Sequence, residues 1–281
     1  MRHFVKPQRR LLVFGLLVAL CVVVLAGCGK GKTSTGKKDA GTDPTVASGP
    51  VWVLSKQTIT LGQAGSESHI VATYELDEHG NTVKMTQQPD EGSEYLVEYQ
   101  YDNDGFVTSS TEKSGENATT VTFTLEKDAN GRVTKSTGDD GSTQTLTYNA
   151  EGNLVHQVQE TLADIGGTEP ARLVSDVTYD DEGFMTGNKS ETIGHQTESV
   201  RSYERDDAGK VTSATTTTTT MGEGGAAIDL VSSVELDDNG NVVRVVDQTN
   251  AESYTYIREF EYTLVENPSL GARIHAHIKN V

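Results

Sequence analysis

The sequence predicts an all-β protein: a long antiparallel meander of about 14–17 strands in hairpin succession. Two observations predict the meander. Seven segments begin with Asp or Asn and end three residues later in glycine, at Gly80, Gly105, Gly131, Gly152, Gly183, Gly209 and Gly240. Residues flanking these segments alternate apolar and polar with a period of two, the signature of half-buried strands. A third observation sets composition and context. An N-terminal segment takes 18 of the apolar residues with it, leaving the rest of the chain about 31% apolar, lean for a globular domain. An extended, surface-rich architecture is expected.

Residues 1–27 read as a signal peptide with a helix of its own. Arg2, Lys6, Arg9 and Arg10 form a basic start, followed by an apolar run from Leu11 to Ala26, too short for a comfortable membrane span. Residues around Arg9-Arg10 fit a twin-arginine signal poorly. The run closes on Leu25-Ala26-Gly27-Cys28, which closely resembles a bacterial lipobox. That resemblance implies cleavage before Cys28, which becomes the new N-terminus, and transfer of a diacylglycerol to its thiol as a membrane anchor that a palmitate analogue would label. Cys21 leaves with the signal, so the mature chain holds a single cysteine and no disulfide is expected.

Residues 28–50 form a tether rich in Gly, Lys, Ser, Thr, Asp and Pro with no apolar periodicity. Lys30, Lys32, Lys37 and Lys38 lie beside the lipid, placed either for anionic headgroups or for solubility alone. Residues 51–281 form the repeat domain, with 15 basic and 39 acidic side chains and a net charge of −24. Such a body is repelled by nucleic acid and by anionic membrane alike.

The turns are readable in chemical terms. The first Asp or Asn accepts hydrogen bonds from amides further along and starts a type I turn. Glycine at the fourth position takes the left-handed conformation required by a three-residue hairpin loop with a bulge. That geometry pairs Leu76 with Thr82, Tyr101 with Val107, Lys127 with Val133, and Tyr148 with Leu154. It also pairs Tyr179 with Met185, Arg205 with Val211, and Leu236 with Val242. Two residues before each pair stand Tyr74, Tyr99, Leu125, Leu146, Val177, Tyr203 and Val234, all on the apolar face. The intervening Glu75, Gln100, Glu126, Thr147, Thr178, Glu204 and Glu235 face water. A sheet with one apolar band is expected to curl over it into an open shell or half-barrel. The run Thr215 to Thr220 continues the strand that begins at Val211.

Tyr101-Asp102-Asn103-Asp104-Gly105-Phe106-Val107, Tyr148-Asn149-Ala150-Glu151-Gly152-Asn153-Leu154 and Tyr179-Asp180-Asp181-Glu182-Gly183-Phe184-Met185 resemble the bacterial YD/Rhs repeat. The similarity extends over about residues 68–250. It implies hairpins joined into one spiralling antiparallel sheet, often a shell and sometimes around a C-terminal toxin. This chain is far shorter, with looser spacing, and only the strand architecture is carried over.

The end strands carry most of the remaining aromatics. Trp52 stands in the first, about Val51 to Thr60, and Tyr254, Tyr256, Phe260 and Tyr262 in the last, about Ser253 to Val265. Either the ends pack on one another, which avoids the entropic cost of association, or one docks a partner, or the rings fill a core. Arg273-Ile274-His275-Ala276-His277-Ile278-Lys279 alternates and reads as a polar closing strand with both histidines on one face. No helix is expected outside the signal.

No catalytic, cofactor or metal site is predicted. The acidic turns at 102–105 and 237–240 look like calcium loops, but turn chemistry accounts for them without the spaced ligands of an EF-hand. His275 and His277 have no evident third ligand, and His69, His79, His156 and His195 show no ligand spacing. No hydrolase elbow, phosphate loop or dinucleotide fingerprint occurs. Neither face offers the charge-free band of an outer-membrane barrel. The expectation is a monomeric structural or binding module in the cell envelope. It is held by the lipid on Cys28, on the outer side of the cytoplasmic membrane or in an outer membrane, with an unidentified partner and no nucleic acid. Two alternatives stand beside it: a carrier of an amphiphilic or lipid ligand in the trough of the sheet, and a hydrolase using two carboxylates.

Overall fold

The structure, a computed structural model, describes residues 49–63, 66–161, 171–192, 195–222, 227–249 and 255–277. Leu25, Ala26, Gly27, Cys28 and the expected signal helix lie outside these residues.

Sixteen strands follow in chain order. They are β1 (Val51–Gln63), β2 (Ser66–Leu76), β3 (Thr82–Pro89), β4 (Tyr95–Tyr101), β5 (Val107–Ser114), β6 (Asn117–Lys127), β7 (Val133–Gly138) and β8 (Thr143–Tyr148). Then come β9 (Leu154–Thr161), β10 (Ala171–Tyr179), β11 (Met185–Thr192), β12 (His195–Arg205), β13 (Val211–Gly222), β14 (Ala227–Leu236), β15 (Val242–Thr249) and β16 (Thr255–Val265). Each pairs antiparallel with its neighbours in sequence. β16 pairs with β1 from Val51↔Val265 to Gly62↔Thr255, so the sheet closes into a barrel.

Closure corrects the expected open shell or half-barrel. The curl needed to cover the apolar band brings the two end strands together, and their ladder removes both exposed edges at once. The end-to-end contact expected from the aromatic strands is therefore made through backbone pairing.

The seven turns follow the expected register. All seven pairs, from Leu76↔Thr82 to Leu236↔Val242, sit at a bulge beside the turn. Asp237 Oδ1 shows the logic: it accepts the amides of Asn239 and Asn241, both at 2.8 Å. Gly240 closes the turn at φ 84°, and the other six turn glycines share this left-handed region, which only glycine enters without strain.

At the turn end, successive hairpins splay apart. The β3–β4 ladder stops at Lys84↔Glu98, two residues short of Thr82. The orphaned carbonyl is met by a tyrosine hydroxyl from the next repeat: Tyr101 donates to Thr82 O at 2.7 Å. Tyr148 donates to Val133 O at 3.1 Å, and Tyr179 to Leu154 O at 2.8 Å. Where the residue before the Asp is basic, an ion pair substitutes. Lys127 reaches Asp102 and Asp104 of the preceding turn at 2.8 and 2.6 Å, and Arg205 reaches Glu182 at 3.1 Å. In five of the seven turns the residue ahead of the Asp or Asn thus staples its hairpin to the previous one.

The outer face carries cross-strand ion pairs, including Lys84–Glu75 and Lys113–Glu98, both at 2.6 Å. These stand where a lipid-facing barrel carries apolar residues. The inner face holds the apolar set, packed most densely on β13–β16, β1 and β2. Leu54, Val211, Ala214, Val234, Val245 and Phe260 form that core, with Tyr74 and Tyr203 against it.

The chain ends in a helix, α1 (Leu270–His277). This corrects the closing strand read from the alternation at 273–279. Ser269 caps the helix, its Oγ accepting the Ala272 amide at 3.0 Å, and Pro268 precedes the cap. Leu270 and Ile274, four apart, pack on Phe106, Val133 and Leu125. The helical spacing of these apolar residues outweighs the local period of two.

Candidate functional site: a plugged barrel lumen

The two rims of the barrel are built differently. One holds the seven turns, and α1 sits in it as a plug. The Ser269 amide donates to His79 O at 2.9 Å and the Gly271 amide to Asp104 O at 2.8 Å. Ser269 Oγ donates to Asn81 Oδ1 at 2.7 Å. Gly271 lies so close that a Cβ there would stand 2.0 Å from Gly105 O. Gly271, Ala272, Ile274 and Ala276 are all buried, as expected of a helix enclosed on several sides rather than laid on a surface. Surrounding protein lowers the His275 pKa, although the residue keeps contact with water.

Sixteen strands enclose more volume than their side chains fill; eight is the number that side chains just fill. On the wall from β6 to β10 the inward residues Val121, Phe123, Leu146, Leu173 and Val177 are only partly buried. Gln144 and Gln159 face each other among them on β8 and β9. Glu112 shares this inner face, opposite Val97 and Thr119, and is exposed. It accepts a hydrogen bond from Tyr95, whose phenol pKa is raised first by burial and then by that carboxylate. The wall from β12 to β16 has a polar row in register: Arg201, Thr216, Ser232, Asp247 and Tyr256. Asp247, with its side chain 6% exposed, is bound by Arg258 at 2.9 Å, and Arg258 lies over the Tyr256 ring. Asp247 Oδ1 and Arg258 Nε are enclosed with no further partner, a cost the ion pair offsets only in part.

The opposite rim carries the variable loops and is acidic. Glu94, Glu116, Asp139 and Asp140 are exposed there. Two cations near this rim are engaged, Lys113 with Glu98 at 2.6 Å and Arg172 with Glu160 at 3.2 Å. A cleft of about 470 Å³ lies at the turn rim beside the plug, lined by Asp77, His79, Asn81, Tyr101, Asp102 and Ser269. The carboxylates of Asp77 and Asp102 there are occupied by turn amides, Asn81 and Lys127.

The structure brings all seven predicted turn glycines to one rim and leaves the lipidation residues outside the described part. The two histidines, expected on one strand face, stand two residues apart on the helix α1 instead. Among the described residues no three His, Cys, Asp or Glu side chains converge as a metal site. Sequence reasoning missed the plug and the inner carboxylates Glu112 and Asp247. The Pro268-Ser269 cap was the available signal for the first; nothing local distinguishes the second from the many outward acids.

Fold and site together define a closed antiparallel barrel of Asp/Asn-turn hairpins, plugged at one rim by its own C-terminal helix. Residues 128–164, spanning two of the turns, match the RHS Repeat family. No curated protein matches the chain. Among solved structures, a porin-like protein from Bacteroides uniformis ATCC 8492 is similar at 13% identity and a TM-score of 0.39, over 75% of this chain and 96% of that one. The TcdB2-TccC3-TEV structure is similar at 14% identity and a TM-score of 0.32, over 76% of this chain and 11% of that one. A porin-like protein from Bacteroides vulgatus ATCC 8482 gives 12% identity and a TM-score of 0.30, over 60% of this chain and 94% of that one. Likeness at this level bears on neither the role nor the partners of this chain.

Proposed function

We propose that this chain is a lipid-anchored protein of the bacterial cell envelope whose barrel is a binding module rather than a catalyst. It is held through Cys28 and the tether of residues 28–50, and it takes its ligand into the lumen from the loop rim. One observation carries the binding role: the lumen wall from β6 to β10 is only partly buried, although α1 is seated in the turn rim against Phe106, Leu125 and Val133. That wall leaves apolar and amide surface facing the lumen, which can hold a ligand. The anchor rests on Leu25-Ala26-Gly27-Cys28 after a basic and apolar leader.

The carrier reading gains support from the partly buried Val121, Phe123, Leu146 and Leu173, which give the lumen apolar surface. Metabolic labelling with a palmitate analogue in a bacterial host tests the anchor. Wild-type protein takes up label and Cys28→Ser does not. Label persisting in Cys28→Ser, or missing from the wild type, would rule the anchor out.

A further inference from the structure

We infer that the lumen ligand is a cationic amphipathic peptide, bound along the wall from β5 to β10; this rests on the reading of the barrel as a binding module. Three features converge on that wall. Val121, Phe123, Leu146 and Leu173 offer an apolar strip that water reaches only in part. Glu112 stands on the same inner face, at the loop end of β5. Directly above, the β5–β6 and β7–β8 loops hold Glu116, Asp139 and Asp140, all exposed.

Charge decides the sign of the ligand. The body carries −24, and a cleft mouth of one sign focuses the field and draws in the opposite charge. Lys113 and Arg172 do not reverse this, since each is bound to a carboxylate. Arg258, on the far wall, is offset by Asp247. A bare hydrocarbon chain fits the strip poorly, because it would cover the inward Gln144 amide without offering it a hydrogen bond. A peptide brings backbone N–H and C=O groups to that amide, apolar side chains to the strip, and cations to Glu112 and the rim.

The test uses the full lipidated chain in zwitterionic lipid nanodiscs, with empty nanodiscs subtracted. The probe is a short fluorescein-labelled peptide of alternating leucine and lysine, followed by anisotropy. It should bind with an affinity that falls with salt. Leu146→Asn should weaken it about tenfold, the contact of one buried apolar side chain. Glu112→Gln with Glu116→Gln should weaken it and flatten the salt dependence. Thr145→Asn, on the outer face of the same strand, should leave it unchanged and, with circular dichroism, serves as the folding control.

A leucine–glutamate peptide binding as tightly would overturn the inference, as would indifference to Leu146→Asn. A serine–lysine peptide binding as well would reduce the effect to surface charge and overturn it too. If a neutral amphiphilic dye binds and responds to Leu146→Asn while the peptide does not, the binding module stands and the peptide assignment falls. If no probe responds to the lumen variant, both fall.

Discussion

Gly105 and Gly240 provide a controlled comparison for the plug. Both occupy the fourth position of an Asp turn, and both sit at φ +84°. Alanine at either site meets the same backbone penalty, about 1–2 kcal/mol for an L-residue in the left-handed region. Their surroundings differ. A Cβ at Gly240 meets nothing within 4 Å, whereas one at Gly105 would lie 2.1 Å from Ser269 Oγ and 2.6 Å from Ser269 Cβ. Gly105→Ala must therefore push the helix cap away. That breaks the bond from Ser269 to Asn81 and loosens Ile274, now 5% exposed, from Phe106 and Val133. Exposing one such side chain costs about 1.5–3 kcal/mol. Urea unfolding should show Gly105→Ala less stable than Gly240→Ala by about 2–3 kcal/mol. Amide exchange in α1 should rise in the first variant alone. Gly271→Ala should reproduce that exchange pattern, although alanine ordinarily strengthens a helix. Equal losses at the two turns, or a protected α1 in Gly105→Ala, would refute the account of the plug.

Tyr148→Phe removes the hydroxyl that meets Val133 O and should cost about 1 kcal/mol in urea unfolding. Burial raises the Tyr148 phenol to about 12, against the lowering effect of Arg132 and with a smaller push from the Asp128 carboxylate. Its folded pKa lies above the unfolded value of about 10, so its contribution is full below pH 10 and is lost as pH rises through about 12. Tyr148→Phe should therefore flatten the alkaline limb of a stability–pH curve between about pH 10 and 12. For Asp237, burial acts to raise the pKa, but the hydrogen bonds from Asn241 and Asn239 together outweigh it and lower the carboxyl overall. A lowered folded pKa means stability present above the unfolded value of about 3.9 and lost as pH falls below it. Asp237→Asn should therefore flatten the acid limb of a stability–pH curve, and an unchanged limb would count against the turn carboxylates.

The strands and turns were legible because their determinants are local. An Asp or Asn, a glycine three residues on and alternating flanks fix a hairpin and its register without reference to the rest of the chain. That is why Tyr101↔Val107 and Arg205↔Val211 could be paired from the sequence. Closure is a property of accumulated twist and strand number, and no residue between Val51 and Val265 encodes it alone. The end of the chain misled for a different reason. Arg273 to Lys279 alternates over seven residues, a window short enough to satisfy two periods at once, and only packing of Leu270 and Ile274 on Phe106 and Val133 selects the helix. The lumen carboxylates stayed hidden because Glu112 and Asp247 differ from outward acids only in parity along a strand, and each bulge resets that parity.

The two rims follow from this difference between constant and variable connections. Turn chemistry makes the seven tips nearly identical, and five of them are stapled to the preceding hairpin by Tyr101, Lys127, Tyr148, Tyr179 and Arg205. A rim with its bonds thus turned inward is suited to seat the chain's own helix, and it does. The loops at the other rim obey no common rule, as the 21- to 31-residue spacing of the turn glycines already implies. They are free to vary without disturbing the hairpins, and surface loops on a rigid scaffold are where binding residues concentrate. The acidic Glu94, Glu116, Asp139 and Asp140 stand there, above the partly exposed wall of the lumen. If the barrel is the binding module proposed, substitutions at that rim should change its ligand affinity while leaving its unfolding unchanged, whereas substitutions at the turn rim should do the reverse.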